Sequence, residues 1–101
     1  MDRPTYRQHL RQRLIDSEVP PTLHSGLIEY FAQRRETGSF LRACLENDLR
    51  EACARADDIN RYELHAIVTF LNNFCPSTAW GSPAIVTAWL AEAEPVPEIF
   101  E

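Results

Sequence analysis

The side chains able to do chemistry are few and scattered. The histidines are His9, His24 and His65, and no two stand four apart on a common helix face, so neither an HxxxH nor an HExxH pattern forms. The cysteines are Cys44, Cys53 and Cys75, an odd number with no CxxC pair. A zinc site would need four of these ligands to converge from distant positions. A nucleophilic pair of Cys44 or Cys75 with His65 would need an exposed thiolate. Cys44 and Cys53 fall on apolar helix faces, which favours inert, reduced thiols. The carboxylate pairs Glu46/Asp48, Asp48/Glu51 and Asp57/Asp58 are spaced as a solvated acidic turn and a helix cap, not as two acids held in different environments. No pattern calls for a cofactor, and the chain is not expected to be an enzyme.

Charge gives a second set of candidates. The 101 residues carry a net charge of −5, and every one of the 10 cations is arginine. An acidic surface argues against a general nucleic-acid binder, which gains affinity by releasing counterions. Arginine suits bidentate contacts at interfaces. Arg3, Arg7 and Arg11 form a stripe four residues apart, with Arg13 beside it, whereas 92–101 hold Glu92, Glu94, Glu98 and Glu101. The arginine arm is free to grip an acidic partner or to pair with this tail. Glu46, Asp48 and Glu51 form an acidic bend that offers a partner-facing patch. Trp80, in Trp80-Gly81-Ser82-Pro83, either folds back to close the bundle or anchors an interface. The candidate partner-binding residues are therefore Arg3, Arg7, Arg11, Glu46, Asp48, Glu51 and Trp80.

The elements that position these residues read as helices. An apolar fraction of 45% and a charged fraction of 25% fit one globular domain spanning 1–101. Tyr6, Leu10 and Leu14 at helical spacing give a narrow-faced helix over about 5–17, within a basic arm of 1–18. Such a helix could pack against its twin in a homodimer. Pro20-Pro21 opens a second helix, carrying Leu23, Leu27, Ile28, Tyr30 and Phe31, that should end near Arg34-Arg35 with Gly38 just beyond. Phe40, Leu41, Cys44, Leu45 and Leu49 start a third, capped by Thr37 or Ser39, with a bend or break at Asn47-Asp48. Ile59, Tyr62, Ala66, Ile67, Phe70 and Phe74, widened by Leu64, Val68 and Leu71, predict a central helix over about 59–74. Apolar around most of its circumference, it should be a post for the other helices and a poor place for function. Ser82-Pro83 starts the last helix, with Ile85, Val86, Trp89 and Leu90 inward, and the tail 92–101 should be irregular. The fold class is all-α, a compact bundle of four to five short helices around the central one.

Two glycine-flanked helices near Gly38 also invite a helix-turn-helix reading, but its recognition helix would carry only Arg42 and be followed by acids that repel phosphate. The start MDRPTYRQHLRQR lacks an apolar signal-peptide core, and no apolar run reaches the length of a membrane span, so a cytoplasmic location is expected.

One resemblance adds to this. The string Thr37-Gly38-Ser39-Phe40-Leu41-Arg42-Ala43-Cys44-Leu45-Glu46-Asn47-Asp48-Leu49 is followed by Arg55-Ala56-Asp57, Asn60-Arg61, Ile67-Val68, Pro76-Ser77, Trp80-Gly81-Ser82-Pro83 and Ala88-Trp89-Leu90. Together these resemble a family of small proteins encoded in bacteriophage and prophage genomes, over about 19–90; the first 18 residues look like an addition. The resemblance implies no residue-level role. Its phage setting implies a protein that binds and blocks a host complex, with anti-CRISPR and other counter-defence inhibitors as examples. A small regulatory or nucleic-acid-associated phage protein and a homo-oligomeric assembly protein are the alternatives.

Overall fold

The computed structural model describes residues 3–92, and among them the protein is all-α, a bundle of short helices with no strand. The helices are α1 (Arg3–Ile15), α2 (His24–Gln33), α3 (Ser39–Leu45), α4 (Leu49–Arg55), α5 (Asp58–Tyr62), α6 (Leu64–Phe74) and α7 (Pro83–Ala91), with a 3-10 turn at Pro21–Leu23 leading into α2. The count is seven where the sequence predicts four to five, because two of the predicted helices are each divided. The expected tail falls at 93–101, outside the described residues, apart from Glu92 at the end of α7. The radius of gyration, 13.1 Å, is that of a tightly packed chain of this length.

Local chemistry sets the breaks. Asn47 takes a left-handed φ of 61°, which asparagine tolerates, and ends the α3 segment; Asp48 then caps α4 by accepting from the Glu51 N–H at 3.1 Å. Asp57 caps α5 in the same way, from the Asn60 N–H at 2.7 Å. The predicted helix over 59–74 is divided at Glu63, whose N–H reaches back only to the Asn60 carbonyl at 3.2 Å, a tightened last turn for α5. The Glu63 carbonyl then accepts from Ile67 and starts the ladder of α6. Ser82 caps α7 as its sequence suggests, accepting from the Ile85 N–H at 3.2 Å with Pro83 in the first turn.

The expected stop of α2 comes about differently. Arg34, not a glycine, takes the left-handed position with φ 56°. Its N–H bonds to Tyr30, and that of Arg35 to Glu29, closing off the last carbonyls. The Arg34 guanidinium lies 3.6 Å from the centroid of the Trp89 ring and donates to the Trp89 carbonyl at 3.3 Å. Those contacts offset the backbone strain and tie α2 to α7. Gly38 instead sits at the N-cap of α3 in ordinary extended geometry, and neither Thr37 nor Ser39 supplies a side-chain cap. Gly81 has the φ of +123° that only glycine takes easily, and its N–H meets the otherwise unpaired α3 carbonyl of Leu45 at 2.7 Å.

The core joins α1 (Leu10, Leu14), α2 (Leu27, Ile28, Tyr30, Phe31), α3 (Phe40, Leu41, Cys44, Leu45), α6 (Ile67, Phe70, Leu71) and Val86 of α7. α1 lies along α2, and α3 packs on α4. Tyr30 is the cross-link: its hydroxyl donates to the Ala79 carbonyl at 2.6 Å, and its own carbonyl accepts from the Trp89 indole N–H at 2.9 Å.

Candidate protein-binding face

α6 serves the core on one face only. Ile67, Phe70 and Leu71 are buried, whereas several residues expected inward on the same segment face out. Tyr62 is 80% exposed, Ile59 63%, Phe74 44% and Val68 40%, and Leu49 at the start of α4 is 67% exposed. Tyr62 and Phe74 stand on one side, and Val68 and Leu49 on the other, of an outward ridge made by His65 and Thr69, which line the grooves on both flanks.

The first groove runs between α6 and the α4 start. It is lined by Leu49, Leu64, Val68, Asn72 and the half-buried Trp80, with a volume of about 560 Å³ and a lining that is largely carbon. The second runs between α6 and the turn after α1. Ala66, Phe70 and Phe74 form its apolar lining with Tyr62, and Asp16, Glu18 and Glu63 stand around it, in a volume of about 600 Å³. Arg13 lies over the Phe74 ring, 5.0 Å from its centroid, at one end. Large apolar side chains grouped along one face in this way mark an interaction surface more often than ones scattered singly.

No family model, curated protein or solved structure matches the chain.

The residues that the sequence marks for partner contact are placed apart, and most have partners within the chain. Arg3 opens α1. Arg7 is half-buried and pairs with Glu29 of α2 at 2.8 Å. Arg11 is exposed and lines a separate hollow with Arg7, Ile15, His24 and Glu29. Glu46 pairs with Arg42 at 2.6 Å, and Arg42 also holds Glu36 at 2.7 Å; these bonds hold the guanidinium still more firmly protonated. Glu51 pairs with Arg55 at 3.2 Å, and Asp48 is the cap of α4. Trp80 is brought to the first groove, where it both packs on the core and contributes to the outer surface.

Asp48 shows what this means for a mutational test. Asp48→Ala removes the α4 cap and is expected to destabilise the protein by about 0.5–2 kcal/mol, seen as a lower urea midpoint at unchanged slope. A loss of partner binding by this variant has to be read against that loss of stability.

Cys44 and Cys75 are not poised for nucleophilic work. Burial pushes Cys44 up to about 12, helped by nearby Cys53, and burial alone pushes Cys75 up to about 12. Both are held as neutral thiols at physiological pH. Cys53 is exposed, where the sequence places it on an apolar face. Among the described residues no cluster of His, Cys, Asp and Glu could hold a metal ion, and no helix is long and apolar enough to cross a membrane.

Ile59, Tyr62, Val68, Phe74 and Leu49 are the surface residues that sequence reasoning assigns to the core. The signal was present in the width of the apolar stripe. A helix that is apolar nearly all round needs neighbours on every side, and a domain of this size does not have enough helices to provide them.

Proposed function

We propose that this chain is a protein-binding module whose contact surface is the outward face of α5 and α6 with its two flanking grooves. The observation that carries the reading is the exposed row Ile59, Tyr62, Val68 and Phe74, joined by Leu49 and Trp80. Aromatic residues on a firm helical support are the usual anchors of an interface. The resemblance of 19–90 to phage- and prophage-encoded proteins gives the reading its specific form: an inhibitor that docks on a host defence complex in the bacterial cytoplasm, as anti-CRISPR proteins do. Arg11, exposed on the opposite flank of α1, and the acidic bend are secondary contacts in this reading.

The test is site-specific photo-crosslinking in bacterial host lysate. A crosslinker at Val68 is expected to trap a discrete partner band that the same probe at exposed Ser77 does not give. Tyr62→Glu with Leu49→Glu should weaken that band at least tenfold while circular dichroism stays unchanged. Equal patterns from Val68 and Ser77 would sink the proposal.

A further inference from the structure

The second groove carries a charge pattern that names its occupant. Carboxylates elsewhere among the described residues are matched within the chain. Glu29, Glu36, Glu46, Glu51, Asp58 and Glu92 each have an arginine within 3.6 Å. Asp48 and Asp57 cap helices. Asp16, Glu18 and Glu63 alone have neither a cation partner nor a capping role among the described residues, and all line this groove. Asp16 takes only a long hydrogen bond to each oxygen from the Gln12 amide, 3.3 Å. A protein with arginines to spare, such as exposed Arg11 and Arg50, has placed none of them against these acids.

Between the carboxylates Phe70 and Ala66 give the groove an apolar strip, with the exposed rings of Tyr62 and Phe74 beside it and Ser17, His65 and Thr69 also on its lining. α6 is 11 residues long, so the groove extends about 16 Å. That length takes roughly three turns of a helix laid beside it, with apolar residues at i, i+3, i+4 and i+7.

We propose that the groove between α6 and the turn after α1 receives a basic amphipathic helix of a partner protein. The partner's apolar row seats on Ala66, Phe70, Phe74 and Tyr62. Its lysines and arginines meet Asp16 and Glu18 on one wall and Glu63 on the other. Nucleic acid is repelled by the same carboxylates, and Arg13, stacked on Phe74, closes one end against further cations. The inference rests on the protein-binding reading and specifies the chemistry of the bound segment.

The experiment uses the full chain and two labelled fourteen-residue peptides with the same leucine row, one with lysine and arginine at its polar positions and one with glutamate. Fluorescence anisotropy is expected to show the basic peptide binding at least tenfold more tightly than its acidic twin, with affinity falling as salt rises. Asp16→Lys, Glu18→Lys and Glu63→Lys together, all at surface positions, should reverse that preference, and Asp16→Asn, Glu18→Gln and Glu63→Gln should abolish it. Amide shifts on titration should centre on Ala66, Thr69, Phe70 and Phe74. Equal binding of the twins, binding of neither, or preference unchanged in the reversed variant overturns the inference. So does a dimer, seen by light scattering, that the triple lysine variant dissociates, since the occupant is then a second copy. If Val68 crosslinks a partner while the peptides do not discriminate, this inference falls and the protein-binding reading stands; if neither Val68 nor a probe at Tyr62 traps anything, that reading itself falls.

Discussion

Tyr30→Ala is expected to lower the stability of this protein by about 3–5 kcal/mol. Tyr30 is completely buried on α2. Its ring meets Phe31 edge-on at a centroid distance of 5.0 Å and Trp89 at 6.3 Å, and its hydroxyl holds the Ala79 carbonyl. Truncation leaves a ring-sized cavity, breaks those contacts and strands a carbonyl on a residue with no exposure of its own. A domain of about 100 residues has a total stability of only about 5–15 kcal/mol, so the variant should melt roughly 15–35 °C lower or fail to fold. Tyr30→Phe isolates the hydroxyl: it keeps the ring and leaves Ala79 unmet, for a loss of about 1–3 kcal/mol. Urea titrations of both variants give the two parts separately. A Tyr30→Phe midpoint equal to that of the wild type would remove the hydrogen bond from the account, and a Tyr30→Ala loss below 1 kcal/mol would remove the hub.

The reach of the sequence is clearest where a local rule decides the outcome. Ser82-Pro83 specifies a cap and a first-turn proline, and both are used as such. Asn47-Asp48 specifies a break followed by a cap, and the chain bends there. Tyr6, Leu10 and Leu14 identify the inner face of α1 because that helix has a polar back. Where the decision depends on long-range packing, the sequence misleads. The end of α2 near Arg34-Arg35 is legible, but not that Arg34 itself takes the left-handed position, with Trp89, fifty-five residues away, stacked on its guanidinium. α6 looks buried all round because apolar residues occupy most of its circumference, yet His65, Thr69 and Asn72 at i, i+4 and i+7 form a polar stripe, and that stripe is the ridge that faces outward. The same reasoning explains the candidate site. Charged residues attract attention in a sequence, yet Arg7, Glu46 and Glu51 find partners within the chain. The open surface is formed by apolar residues that a pattern reading places inside, and by Asp16, Glu18 and Glu63, whose lack of a cation partner among the described residues is visible only in three dimensions.

The second large effect is alkaline unfolding. Four buried or half-buried acids are held neutral by the fold. Burial pushes Cys44 and Cys75 from about 9 to about 12. It pushes Tyr6 and Tyr30 from 10.0 to about 12, the Tyr6 phenol with a smaller contribution from neighbouring Cys75 and the Tyr30 phenol against the opposing pull of Arg42 and Arg34. In each case the folded value lies above the unfolded one. The stabilisation is therefore complete below the unfolded value and is lost as pH rises toward the folded value. Between those two values the native state binds more protons than the unfolded state, so stability falls with pH. The limiting slope is about 1.4 kcal/mol per pH unit for each group, reached first by the thiols above about pH 9 and then by the phenols above about pH 10. Tyr6 and Cys75 are only partly shielded from water, so Cys44 and Tyr30 carry the larger share. The urea midpoint should accordingly decline as pH rises above about 9. Cys44→Ala should flatten the first part of the decline, and Tyr6→Phe the second, because each removes one proton from the linkage. A midpoint that stays constant from pH 8 to about pH 11 would mean that these groups ionise without opening the fold. The core would then admit water at α1, α3 and the end of α6, and the close packing described for Cys44 and Tyr30 would have to be abandoned.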